Sequence, residues 1–212
     1  MMDDGAESER TPRDERMLRR RADILRVAAR LFAESGYERT TLEVIADELG
    51  LSKPTLYYYV KNKEDVLAQI LEGVIQNFAA DVETAITPDQ SPEEQLYHVI
   101  RIHTRRICDY PAGRVLILYE SHLVTERRPE IFALRKQYRE RIEQIVEHGI
   151  ARGIFHVADA KLATLAVLGA LNWVARWYLP NGRLTPDEIG EHFARILIGG
   201  LINPATVTPS DA

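Results

Sequence analysis

The sequence predicts an all-α protein of nine helices, and three observations carry that expectation. Apolar residues recur at helical spacing, as where Ile24, Leu25, Ala28, Leu31 and Phe32 fall at i, i+1, i+4, i+7 and i+8 on one stripe. No segment alternates apolar and polar residues over five or more positions, as a half-buried strand requires. Glycines, prolines and capping residues cut the chain into helix-length pieces.

The elements follow in order. Residues 1–16 are polar and highly charged and read as a disordered arm. A first helix spans 17–34 and stops at Gly36, a residue suited to a left-handed end. Thr40 or Thr41 caps a second helix, whose stripe is Leu42, Ile45, Ala46 and Leu49, and Gly50 ends it. Ser52 caps a third, with Pro54 tolerated in its first turn. Asn62 caps a long fourth helix, which continues through Val66, Ile70, Val74, Ile75, Phe78 and Val82 to about Ile86; Glu64 and Asp65 suit its positive end. After a loop at 87–92, Ser91 starts a fifth helix that ends near Tyr110-Pro111, and a sixth spans 112–123. A seventh covers 130–152, punctuated by Gly149 and Gly153. Asp159 opens an eighth that reaches Tyr178, and a ninth runs from Pro186 to Ile202. Within the eighth, residues 162–175 are the longest apolar run and read as a buried helix. The chain thus divides into the arm, a small helical module at 17–65, a larger one at 66–203 and a flexible tail at 204–212.

With 212 residues, 45% hydrophobic and 28% charged, the chain has the material for one large domain or two modest ones. A lone cysteine, Cys108, excludes a disulfide framework and fits a reducing cytoplasm. The polar start resembles no signal peptide, and no uncharged apolar run reaches the roughly eighteen residues of a membrane span. The net charge of −5 is unevenly spread. Six arginines (16, 19, 20, 21, 26 and 30) face one acid, Asp23, between residues 16 and 30, whereas 64–94 hold eight acids and no lysine or arginine. A local positive edge can grip phosphates while an acidic body holds the rest of the molecule away from them.

Residues 42–60 have the size of a helix-turn-helix. Ala46-x3-Gly50 supplies a small residue for close helix approach and a glycine for the turn. If Leu42, Ile45, Leu49, Leu56 and Val60 bury against Leu25, Leu31 and Phe32, then Lys53, Pro54, Thr55, Tyr57 and Tyr58 remain on the outer arc of the third helix. Three consecutive tyrosines cannot all enter so small a core. The alternative is a plain three-helix bundle with tyrosines as surface packing.

The run GYERTTLEVIADELGLSKPTLYYYVKNKEDVL resembles the DNA-binding domain of the TetR family of bacterial repressors, over about residues 20–67. The resemblance implies that Thr41 meets a DNA phosphate and that Ser52, Lys53, Pro54, Thr55, Tyr57 and Tyr58 line the major groove, while Lys63 holds the backbone. It implies a homodimer joined by the last two helices, reading a palindromic operator in double-stranded DNA.

The body shows no metal-ligand spacing, nucleophile elbow or phosphate-binding glycine loop, so an enzyme and a bound cofactor are not expected. Trp173 and Trp177 share a helix face with Asn172 and Arg176 beside them, suiting an apolar ligand with a polar end; dimer-interface or core packing is the competing reading. His98, Arg101 and Arg105 form a basic stripe that serves either ligand phosphates or a solvated helix face. The stretch from Tyr119 through Tyr138 to Gly200 is similar to a TetR subgroup controlling fatty-acid and sterol breakdown, several of whose members sense acyl-CoA thioesters. The candidate effector site is therefore Asn172, Trp173, Arg176, Trp177, Tyr138, His98, Arg101 and Arg105. The expected function is ligand-controlled repression, with a drug-efflux or antibiotic-response regulator of a free hydrophobic ligand as the alternative.

Overall fold

The computed structural model describes residues 11–109, 111–124 and 127–203. Among these the chain forms nine α-helices and no strand, as expected. Four helices build the first part: α1 (Pro12–Ser35), α2 (Leu42–Glu48), α3 (Lys53–Tyr59) and α4 (Lys63–Ala85). The remainder are α5 (Pro92–Asp109), α6 (Pro111–Tyr119), α7 (Arg128–Ala151), α8 (Ala160–Trp177) and α9 (Pro186–Ile202). A 3-10 turn, Glu120–His122, follows α6.

Capping chemistry sets most boundaries. α1 begins at Pro12 rather than Met17, because the Thr11 hydroxyl accepts from Asp14 N–H while the Asp14 carboxylate accepts from Thr11 N–H. Residues 12–16 therefore belong to the helix and not to an arm; the rest of the expected arm and the tail from Pro204 lie outside the described residues. Asn62, Asp159 and Thr185 cap α4, α8 and α9, and Glu188 returns to the Thr185 N–H. α6 is shorter than expected: it ends at Tyr119 and tightens into the 3-10 turn.

α4 is the spine of the molecule. It buries Val66, Leu67, Ala68, Ile70, Leu71, Val74, Ile75, Phe78 and Val82, and packs on α1, α5, α6 and α7. α5 lies against α4, α6, α7, α8 and α9, while α1 also leans on α6. The buried side chains, from Ile24 in α1 to Leu201 in α9, form one cluster. Head and body share a core, with each fully buried Leu, Ile or Phe contributing about 1.5–3 kcal/mol.

α8 departs from the expected buried helix. Thr164, Val167, Leu171, Val174 and Ala175 face the core, but Leu162 is 64% and Trp173 63% exposed. The apolar run is continuous because both faces of α8 are apolar, only one of which this chain covers.

Gly149 in α7 marks the closest approach. The ring of Phe155, in the following loop, lies so near that a Cβ on Gly149 would overlap Phe155 Cδ2. We predict that Gly149→Ala lowers stability by about 1–3 kcal/mol through overpacking, read as a lower Tm. An unchanged Tm would show that the Phe155 loop yields freely.

Candidate functional site

The head is three helices around one contact: Phe32 of α1, Ile45 of α2 and Leu56 of α3 are all fully buried. Between α2 and α3, Gly50 takes φ 62°, and Leu51 N–H donates to Ala46 O at 2.9 Å, closing the end of α2. Ser52 then caps α3, accepting from Thr55 N–H, with the two hydroxyls 2.8 Å apart. Because Leu56 and Val60 point inward, Ser52, Lys53, Pro54, Thr55, Tyr57 and Tyr58 all stand exposed on the outer arc. Tyr57 and Tyr58 are 50% and 64% exposed, while Tyr59 packs partly against the core. Thr41 is exposed too, its hydroxyl accepting from Val44 N–H at the start of α2.

Lys53 and Glu43 tie α3 to α2 across 2.6 Å. The Lys53 hydrogen bond pulls the Glu43 carboxyl down to about 2, and the same pair raises the Lys53 pKa. Beside α3, the first turns of α1 place Arg13, Arg16, Arg19 and Arg20 around a groove shared with Tyr58 and Tyr59.

Lys63 is placed differently from the expectation. Its ammonium donates to the carbonyls of Tyr37 and Glu38 at 3.0 and 3.4 Å and lies 4.2 Å from the Tyr37 ring centroid. These carbonyls lie in the turn between α1 and α2, where Tyr37 O also accepts from Thr40 N–H, and the half-buried lysine reaches them from the start of α4. Lys63 fastens the head from inside.

In the body, a cavity of about 670 Å³ opens between α4, α5, α6, α7 and α8. Ile75, Phe78, Leu116, Ile117, Phe132 and Leu168 supply apolar wall, and Arg135, Lys136 and Arg139 of α7 supply cations. Its polar floor is a trio: His103 Nδ1 lies 3.1 Å from the Tyr138 hydroxyl and Nε2 lies 3.1 Å from Asn172 Oδ1. Asn172 has a carbonyl oxygen there, so Nε2 carries the proton and Nδ1 accepts from Tyr138. Burial pushes His103 down to about 4, and Phe78 packs edge-on against its ring at 5.1 Å. Burial likewise raises the Tyr138 hydroxyl pKa. The floor is therefore neutral near pH 7.

Two of the expected effector residues, Tyr138 and Asn172, line this cavity. Trp173, Arg176 and Trp177 do not: they are exposed on α8, Trp173 about 100° and Trp177 about 140° of helix rotation from Asn172, with Trp177 against Phe193 at 6.4 Å. His98, Arg101 and Arg105 line a separate groove of about 570 Å³ along α4 and α5. Arg101 and Arg105 reach Asp187 of α9 at 2.8 and 2.6 Å, so that stripe binds α5 to α9. His103, Phe78, Phe132, Arg135 and Arg139 were missed; the signal for the cations was Arg135, Lys136 and Arg139 on successive turns of α7.

A capped helix-turn-helix with an outward polar arc, tied to a body with an open amphipathic cavity, defines a ligand-responsive DNA-binding regulator. The family described as bacterial regulatory proteins, tetR family, matches residues 24–70, and that described as tetracyclin repressor-like, C-terminal domain, matches 89–201. The chain belongs to the TetR family of transcriptional regulators. It is 30% identical over 190 residues to the HTH-type transcriptional repressor KstR2 of Rhodococcus jostii, covering 87% of this chain and 92% of that one. The crystal structure of PfmR from Thermus thermophilus is similar with TM-score 0.77 at 34% identity, over 84% of this chain and 98% of that one. AibR, in a complex with isovaleryl coenzyme A and operator DNA, is similar with TM-score 0.77 at 27% identity, over 86% of this chain and 98% of its own. No described helix is long and apolar enough to cross a membrane.

The His103 environment predicts a pH dependence. Its folded value of about 4 lies below the ordinary 6.5, so the unfolded chain takes up the proton first. This contribution to stability is complete above about pH 6.5 and is lost as pH falls toward 4, with a limiting slope of about 1.4 kcal/mol per pH unit. Urea unfolding of wild type against His103→Gln at about pH 7, 6 and 5 measures it. A difference between the two that does not change with pH would contradict the buried neutral imidazole.

Proposed function

We propose that this chain is a cytoplasmic repressor, not an enzyme, whose dimer holds a palindromic operator and releases it when an acyl-CoA thioester enters the α4–α8 cavity. The observation that carries this reading is the combination of apolar wall, neutral polar floor and the α7 cations Arg135, Lys136 and Arg139. An acyl chain fits the wall, its thioester carbonyl can meet the Arg135 guanidinium, and the phosphates of coenzyme A match Lys136 and Arg139. The likeness to AibR, whose structure holds isovaleryl coenzyme A and operator DNA, supports the same ligand class.

At the DNA, Thr41, Ser52, Lys53, Tyr57 and Tyr58 serve the phosphates and groove edges, and Pro54 and Thr55 meet base edges. The dimer forms through the uncovered face of α8 and α9, where Leu162, Trp173, Trp177 and Ile196 stand exposed and Gly199 and Gly200 have open space above them. One module touching a few base pairs binds weakly, and two modules a helical turn apart add their free energies. α4 joins cavity to head, so a ligand that favours a tilted α4 spreads the two recognition helices, with a coupling of roughly 1–3 kcal/mol.

Fluorescence anisotropy with the promoter of the chain's own locus tests this. Acyl-CoA thioesters of several lengths should weaken binding between 5- and 150-fold, roughly the usual range of such coupling. Release by neutral drug-like ligands alone would replace acyl-CoA with the efflux-type alternative. Thr55→Val should relax discrimination at one base pair, by about 1–3 kcal/mol, whereas Lys53→Ala should weaken all duplexes and flatten the salt dependence. Trp173→Glu should yield a monomer by sedimentation that binds the full operator no better than a half-site; a dimer would move the interface elsewhere.

A further inference from the structure

Between cavity and head stands an ion pair. Arg135 lines the cavity and contacts the Glu120 carboxylate, which opens the 3-10 turn after α6. That turn grips the head. Tyr119, just before it, and His122, at its end, lay their rings 6.0 and 5.1 Å from the Tyr37 ring. His122 Nε2 also faces the Glu38 carboxylate at 3.4 Å. Tyr37 in turn packs edge-on against Phe32, the central ring of the head, at 5.1 Å, and its carbonyl receives Lys63 at the start of α4. A continuous set of contacts therefore runs from Arg135 through the turn to the junction of α1, α2 and α4.

The pair is poorly compensated by anything else. The Glu120 side chain is only 17% exposed, and its Oε1 is buried with no hydrogen-bond partner. Arg135 is itself about one-third exposed, and burial lowers its pKa. A desolvated guanidinium keeps an acceptor, and a buried carboxylate keeps a cation, because either one alone is costly. An oxygen on a ligand in the cavity can take over the guanidinium, and the turn then holds an uncompensated charge.

Building on the cavity as the effector site, we propose that Arg135 recognises the acyl oxygen of the effector by exchanging it for Glu120, and that the exchange loosens the turn that clasps Tyr37. A thioester carbonyl and a free carboxylate share this chemistry. A purely apolar occupant fills the cavity without making the exchange, and so leaves the operator bound.

The test uses the full-length dimer in operator anisotropy with decanoyl-CoA, decanoate and decane as probes. Glu120→Gln, without ligand, should bind operator about tenfold more weakly and should bind decanoyl-CoA more tightly, because the exchange is already made. Arg135→Gln should lose the response to decanoyl-CoA and decanoate alike. Decanoyl-CoA acting at lower concentration than decanoate identifies the thioester as the source of the oxygen, and the reverse order identifies the free acid. Glu120→Gln binding operator as wild type does, Arg135→Gln keeping its response, or release by decane would overturn the proposal. If either single variant melts without cooperativity, Glu120→Gln/Arg135→Gln, which removes both charges together, carries the test. Weak operator binding with no acyl response supports the exchange, and wild-type behaviour refutes it. Should wild type ignore every acyl probe while Glu120→Gln still loses operator affinity, the coupling stands and the acyl effector falls; the opposite pattern rejects the coupling alone.

Discussion

The constraint on which the structure depends is the burial of α4 on several sides along much of its length. Its N-terminal residues Val66, Leu67 and Ile70 belong to the same core as Phe32 and Ile45, and its middle residues Ile75 and Phe78 form cavity wall. A helix is stiff along its axis, and a core packed at crystal-like density yields in discrete steps more readily than by smooth bending. The same helix begins at Lys63, which fastens the loop between α1 and α2. Head and body therefore share one continuous core along α4.

The polar groups inside this core are placed economically. His103 uses both ring nitrogens, on Tyr138 and Asn172, so a fully buried imidazole remains satisfied without charge. Another network joins head to body near the start of α4: Arg21 of α1 donates to Gln69, Gln69 donates to Asp65, and Arg127 approaches Asp65 at 3.6 Å and also contacts Glu72. Two kinds of joint thus hold the head, the aromatic clasp around Tyr37 and this charged lattice. The first is apolar and geometric, and the second weakens with ionic strength in proportion to its exposure.

The head was legible in the sequence because its determinants are local. Gly50 signals a left-handed turn, Ser52 and Asn62 signal caps, and the Leu42, Ile45, Leu56 and Val60 spacing signals which side is inside; each acts within one or two turns. The α4–α8 cavity was much less legible. Whether Asn172 or Trp173 faces inward depends on which side of α8 meets α5, α6 and α7, and the helix is apolar on both. Arg101 and Arg105 carried a correct sign of charge, but their partner Asp187 lies about eighty residues away, a pairing no local pattern announces. His103 gave no signal at all, because a buried imidazole shows itself only through tertiary neighbours. α1 was misjudged at its start for a different reason. Thr11, Pro12 and Asp14 form a capping box inside a stretch otherwise so charged that it read as unfolded.

The Lys53–Glu43 contact has a consequence for target search. In the free protein the cation on the outer arc of α3 is already engaged by a carboxylate of α2. In the proposed function a random stretch of duplex therefore competes with an intramolecular neighbour for that ammonium, and a sequence that also satisfies Thr55 and Pro54 gains more. On that reading the acidic neighbour trades indiscriminate attraction for selectivity.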